Sequence, residues 1–227
     1  MAVFDPLKIT ITNWPEDKVE NLQAPLFPDT LETSKTEINR TRTIPLTREI
    51  YIEKDDFMVD PPKKFFRLKP GGEVRLRYGY IIKCEEVITD PETKEVVELK
   101  CTYDPDTKSG SATQTQRKVK GTIHWVSKSE SLPAKLNLYE SILKVPNADE
   151  ALAEAPDMTL MDLINPSSLK EMHGFVEPYV AANAHDESLG KLFEDSRPRF
   201  QFERQGFFSP DMMESGAGQA SSSSSSS

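Results

Sequence analysis

The pattern that most limits how this chain can fold is a period of two. At residues 7–12 (LKITIT), Leu7, Ile9 and Ile11 fall on one face of an extended segment. At 74–78, Val74, Leu76 and Tyr78 alternate with Arg75 and Arg77. At 117–127 (RKVKGTIHWVS), Val119, Gly121, Ile123 and Trp125 alternate with Lys118, Lys120, Thr122 and His124. Successive side chains of a strand point to opposite faces, so each run reads as a strand with one side buried. Gly121 within the last run marks a bulge or a close backbone approach. Runs at 42–53, 75–87, 96–103 and 133–139, with late extended segments at 175–179 and 199–204, bring the total to roughly ten strands. Pro70-Gly71-Gly72 and residues 90–94 (DPETK) supply turns. Residues 149–154 (DEALAE) read as a short helix, 183–192 as a loose helix or loop, and 13–41 and 104–116 as polar surface excursions. Ten strands exceed what one small barrel needs. The expected fold is mainly all-β: two small β-barrels packed together, with short helices and long loops.

Composition narrows the function classes. The 227 residues include 17 prolines and 10 glycines, which suits many turns, and carry a formal net charge of -9. That balance argues against a protein that coats nucleic acid indiscriminately, but it permits a local basic face. No run of eighteen apolar residues is present and the N-terminus lacks a signal-peptide pattern, so no membrane partner is expected. Cys84 and Cys101 are the only cysteines and are expected as buried thiols on neighbouring strands in a reducing, cytoplasmic setting. The phosphate-binding loop, the dinucleotide fingerprint, the nucleophile elbow and the zinc-protease helix are all missing. His124, His173 and His185 have no ligand-like spacing, and His124 reads as a strand residue facing solvent or polar neighbours. No catalytic residue, metal or cofactor site is expected in this chain.

Binding is better supported. Residues 61–83 carry Lys63, Lys64, Arg67, Lys69, Arg75, Arg77 and Lys83 against a single acid, Glu73. On an ideal strand Arg75 and Arg77 share the solvent side, about 6–7 Å apart. Planar guanidinium forks at that spacing suit phosphates or base edges. An ordinary wetted sheet face would show the same local pattern, so the pattern alone leaves both readings open. Single-stranded RNA is read by bases that stack on aromatics or guanidiniums and bond to side chains at their edges. Phe65, Phe66, Arg67, Arg75, Arg77, Tyr78 and Tyr80 offer that combination, as do Gln201, Phe202 and Arg204. Gln201 and Arg204 are three apart, so a shared role requires a turn or bulge between them.

Six blocks resemble, in order, the C-terminal anticodon-binding region of glutaminyl-tRNA synthetase, a class I aminoacyl-tRNA synthetase family. They are MAVFDPLKITITNW (1–14), RLKPGGEVRLRYGYIIKCEEV (67–87), CTYDPDT (101–107), KVKGTIHWVS (118–127), INPSSL (164–169) and QFERQGFFSPD (201–211). The eukaryotic and archaeal type of glutamyl-tRNA synthetase shares the architecture; HWVS and QFERQGFF favour glutamine. The resemblance implies a proximal barrel from 1–60 and 165–211, a distal barrel from 61–164, and an unpacked tail at 212–227. It implies that Arg67 meets the third anticodon base, Arg75 and Arg77 the first base and its backbone, and Gln201 and Arg204 the middle base. Lys63 and Lys64 complete the expected tRNA contacts. Lys64 stands where bacterial members can carry a glutamine, and Phe66 where they can carry a lysine. The implied partners are glutamine tRNA and an N-terminal catalytic domain, absent here, that uses ATP; DNA is not expected.

Overall fold

The computed structural model describes residues 1–26, 41–110, 117–155, 157–184 and 198–211. The expected unpacked tail and most of the 183–192 segment lie outside them. The chain is mostly β, with short helices and loops. In order its elements are β1 (Ala2–Val3), β2 (Pro6–Ile11), β3 (Glu20–Pro25), β4 (Thr41–Leu46), β5 (Glu49–Glu53), β6 (Glu73–Leu76), β7 (Ile81–Thr89), β8 (Val96–Asp104), β9 (Thr122–Ile123) and β10 (Val126–Ser127). They continue with β11 (Leu132–Tyr139), α1 (Ala148–Glu154), β12 (Leu169–Val176), α2 (Pro178–Asn183), β13 (Phe200–Phe202) and β14 (Gly206–Phe208). One compact unit is drawn from Met1–Leu132 and the described residues from Phe175 onward; a smaller one comprises Pro133–Gly174.

The larger unit is built on a seven-stranded sheet ordered β10-β5-β2-β8-β7-β6-β9. The β2–β8 and β6–β9 pairs are parallel and the others antiparallel. The sheet therefore joins strands from 1–60 to strands from 61–164. Its two edges are tied by sequence, because only His124 and Trp125 separate β9 from β10. Three peptide steps span at most about 11 Å. Laid flat, seven strands would set their edges about 29 Å apart. The sheet must therefore roll up, and the seam is bridged by a buried dipeptide rather than by a ladder between β9 and β10. The apolar alternation supplies the interior: Leu7, Ile9, Ile11, Val74, Leu76, Ile82, Leu99, Ile123 and Trp125 are all buried. Each such side chain contributes roughly 1.5–3 kcal/mol. Cys84 and Cys101 sit directly opposite each other on β7 and β8, buried and as free thiols, as the sequence suggests.

Three expectations need correction. The excursion at 13–41 contains a strand: β3 pairs with β4 in a two-stranded sheet and buries Leu22 and Ala24. Only those two apolar residues mark it, too few to announce a period. The single strand expected at 117–127 is two short ones, interrupted where the seam crosses. The extended segment expected at 175–179 ends at Val176, because Pro178 opens α2, where a missing N–H costs nothing. The smaller unit pairs β11 with β12 and carries α1, capped by the Asn147 side chain. It buries Leu136 and Leu163.

Gly121 is the close approach expected from its sequence. A Cβ there would lie 2.1 Å from the carbonyl oxygen of Phe66, and the Gly121 carbonyl accepts from Arg75 N at 2.9 Å. Backbone lies on both sides, so nothing flexible can yield. Gly121→Ala is expected to lower stability by about 3 kcal/mol, read as a shift of the urea midpoint at unchanged slope.

Candidate nucleic-acid interface

Two tight turns of the larger unit build one cavity. The first closes β6 onto β7, with Gly79 N donating to Leu76 O at 2.8 Å and Tyr78 at φ 62°. The second closes β13 onto β14, with Gln205 N donating to Phe202 O at 3.0 Å and Arg204 at φ 65°. Each puts a bulky residue at the third turn position, where Gly or Asn is usual, at a cost of order 1–3 kcal/mol. The cavity encloses about 660 Å³ and is lined by Arg42, Arg77, Arg199, Arg204, Glu177, Glu203, Gln201, Tyr78 and Phe207. Its four arginines meet carboxylates at close range: Arg42 at Glu177, Arg77 at Glu203 and Arg204 at Asp56 behind the lining, with Arg199 also on the wall. Arg77 lies over the Tyr78 ring at 5.0 Å and Arg42 at 5.8 Å, while Arg77 Nε is 3.1 Å from Glu203 Oε2. Arg42 Nε donates to buried Glu177 Oε1 at 2.5 Å. The backbone of Arg77 is fastened to the seam: its N–H donates to Ile123 O at 2.9 Å, and Trp125 Nε1 donates to its carbonyl at 3.0 Å.

Behind the cavity lies Asp56, with no exposed surface. Arg204 donates to it through Nη1 (2.7 Å to Oδ1) and Nη2 (2.5 Å to Oδ2), and Arg67 Nη1 donates to Oδ1 at 2.6 Å. Arg204 Nη2 also donates to His124 Nδ1 at 2.8 Å. A guanidinium cannot accept, so His124 carries its proton on Nε2, facing Glu53 Oε1 at 3.4 Å. Glu53 accepts in addition from Gln205 Nε2 at 2.8 Å and from Phe4 N and Asp5 N at 2.8 and 3.0 Å. The hydrogen bond to Asp56, opposed by burial, raises the pKa of Arg204 and keeps it cationic.

Arg75 looks elsewhere. Its Nη1 donates to the carbonyl of Thr107 at 2.6 Å, and burial lowers its pKa. That loop is tethered by Lys108 Nζ, which donates to Glu20 Oε1 at 2.7 Å. Burial pushes the Glu20 carboxyl up, but hydrogen bonds from Lys108, Lys18 and Tyr80 together outweigh it and hold the group at about 2.

Of the expected residues, Arg77, Gln201 and Arg204 come together at one cavity, joined through the turn that a shared role required. Arg67 is linked to them by Asp56. Lys63 and Lys64 are exposed on the turn that precedes Arg67. The pair of solvent-facing forks expected of Arg75 and Arg77 is not present, because β6 ends at Leu76 and Arg77 belongs to the turn. Tyr80 and Phe202 are core residues. His124 has polar neighbours, as one expected alternative held, but is buried rather than facing solvent. Sequence reasoning missed Asp56, Arg42 and Glu203. Asp56 sits in an acidic turn just before buried Phe57, a faint signal that nothing local distinguishes from a solvated turn. Among the described residues no cluster of three or more His, Cys, Asp or Glu side chains could hold a metal ion, and no helix is long and apolar enough to cross a membrane.

An arginine-rich, aromatic-sided cavity on a rolled β-sheet has the make-up of a binding module for ligands with planar and anionic groups. The comparisons with known proteins place it further: models described as the anticodon-binding domain of class I tRNA synthetases (E and Q) match residues 1–104 and 122–211. The chain belongs to this family, and the matched region is its non-catalytic anticodon-binding part. Glutamine–tRNA ligase of Nitrobacter hamburgensis is 46% identical over 211 residues, covering 93% of this chain and 33% of the relative. That of Clostridium kluyveri is 41% identical over 208 residues (92% and 33%), and that of Rhodopirellula baltica 44% over 211 (93% and 31%). The chain thus spans about a third of the length of these curated relatives.

Two outcomes follow from the geometry. Asp56→Asn, which keeps shape but turns an amide donor towards guanidinium donors, is expected to cost about 3 kcal/mol in chemical denaturation. Glu20→Gln is expected to cost roughly 2 kcal/mol near neutrality. Because the folded pKa of Glu20 is depressed, its contribution is full above about pH 4.5 and fades as pH falls towards 2. Stability curves of the two proteins should therefore converge across that window.

Proposed function

We propose that this chain recognises the anticodon of glutamine tRNA by single-stranded base readout, as the anticodon-binding part of a glutamine–tRNA ligase. The observation that carries the reading is the convergence of Arg77 and Gln201, 124 positions apart in sequence, at one arginine-rich cavity beside the ring of Tyr78. Unstacked bases need a π-face, an edge partner and a nearby cation. Tyr78 supplies the first, Gln201 the second and Arg77 the third. Arg204 spends both terminal nitrogens on Asp56 and His124, so it offers the middle base its planar face rather than a fork. Arg67 spends one nitrogen on Asp56 and keeps its other edge for the third base. Arg75 contributes to the first-base pocket mainly by holding the 107–109 loop, and Lys63 and Lys64 take backbone phosphates.

Two β-barrels are part of the proposal, a proximal one from 1–60 and 165–211 and a distal one from 61–164. The shared seven-stranded sheet favours extending the distal barrel back to include β2 and β5. The rest of such a ligase would charge the tRNA with ATP, and remote anticodon binding would add to transition-state stabilisation there.

One observation favours a second reading. Arg67 and Arg204 are both ion-paired to the buried Asp56, as expected in a purely structural β module. Binding decides between the two. Glutamine tRNA is expected to bind more tightly than the same tRNA with an altered anticodon, and more tightly than glutamate tRNA. Arg77→Ala should narrow that discrimination by about 5- to 150-fold if values for bidentate base contacts transfer. Equal affinities for all three tRNAs would leave only a salt-sensitive backbone binder, and no binding at low salt would leave the structural module.

A further inference from the structure

Phe66 is half exposed, at 51%, on a backbone with almost no freedom. Its carbonyl packs against Gly121, closer than any side chain there could permit. On one side Phe65 N donates to Pro62 O at 3.0 Å, and on the other Leu68 N donates to Asp56 O at 3.0 Å. The ring is therefore held outward by a rigid turn, where it fills no part of the core. Lys120 Nζ, from the bend that leads into β9, lies 5.2 Å from the ring centroid.

With acids in excess, Lys8, Lys18, Lys54, Lys83, Lys100, Lys108 and Lys128 each reach a carboxylate. Lys63, Lys64 and Lys120 have no acidic partner among the described residues, as is also true of Lys69, Lys94, Lys118, Lys144 and Lys170; what sets the first three apart is their place beside an exposed ring. An exposed aromatic on a fixed backbone here stands beside lysines that no carboxylate engages. It matches the two halves of a nucleotide, because a base stacks on a ring of any sequence context and lysines take the adjoining phosphates.

We infer that Phe66, with Lys120 and Lys64, is a stacking platform for a further unpaired RNA nucleotide, outside the cavity. The platform is one residue from Arg67, whose guanidinium shares Asp56 with Arg204 of the cavity, so one strand can engage both. The inference deepens the anticodon reading and rests on it. The platform reads no base: a phenyl ring offers no hydrogen-bond donor or acceptor. It adds affinity, not discrimination.

The test is titration of glutamine tRNA against the 227-residue chain and two variants. Phe66→Leu keeps apolar bulk and is expected to leave the melting temperature unchanged, to weaken binding by roughly 5- to 150-fold, and to leave the ratio between cognate and altered anticodons unchanged. Phe66→Trp should retain affinity. Trp14 and Trp125 are buried, so the new indole is the exposed one among described residues, and its fluorescence should be quenched by tRNA but not by inorganic phosphate. Unchanged affinity of the leucine variant, or an unquenched tryptophan, would overturn the platform while anticodon discrimination stood. Failure of the unaltered chain to bind tRNA would overturn the anticodon reading and the platform with it.

Discussion

A carboxylate without exposed surface is tolerable only if donors replace the water it has lost. Asp56 has three such bonds, all from guanidinium groups, and the two arginines that supply them lie 11 and 148 residues away in sequence. The hairpin of β13 and β14 packs Phe202 and Phe208 against Phe4, and this ion pair fixes the turn that joins its strands. The same carboxylate leaves the two arginines with a net charge of one, while Arg42 and Arg77 face Glu177 and Glu203 in the same way. Arg204 occupies a backbone conformation that disfavours a side chain with Cβ. Its bidentate contact with Asp56 offsets that strain, and His124 and Glu53 extend the support to the seam.

The seam explains why the cavity forms where it does. β9 and β10 are the opposite edges of the sheet, and rolling brings them near enough for two residues to link them. Those residues carry a second duty: His124 receives Arg204, and Trp125 holds the carbonyl of Arg77. Rolling of the sheet and placement of the Arg77 turn are thus one packing event. A substitution that loosens the seam should be felt at the cavity without touching any residue that lines it.

Much of the fold was legible because alternation is local. Leu7, Ile9 and Ile11, the opposed Cys84 and Cys101, and the close approach at Gly121 could each be read from a few neighbouring residues. β3 was not, since two apolar positions in a polar run make no period. The split of 117–127 was not either, because a seam is a property of the rolled sheet and leaves the alternation of its strands intact. At the site, residue types and the need for a turn at Gln201–Arg204 were visible. Which arginines are spent on internal partners was not. That depends on an acid, Asp56, whose burial arises from elements far apart in sequence, and no composition or spacing records it.

The result is a division of labour among side chains that look alike in the sequence. Arg204, Arg67 and Arg75 bond to internal partners, while Arg77 and Gln201 line the cavity. The most direct test is photo-cross-linking with glutamine tRNA carrying 4-thiouridine at the middle anticodon position, followed by mapping of the modified peptide. The account predicts adducts in the peptides that contain Tyr78 or residues 200–207. Adducts confined to residues 133–174, or none despite tight binding, would contradict it.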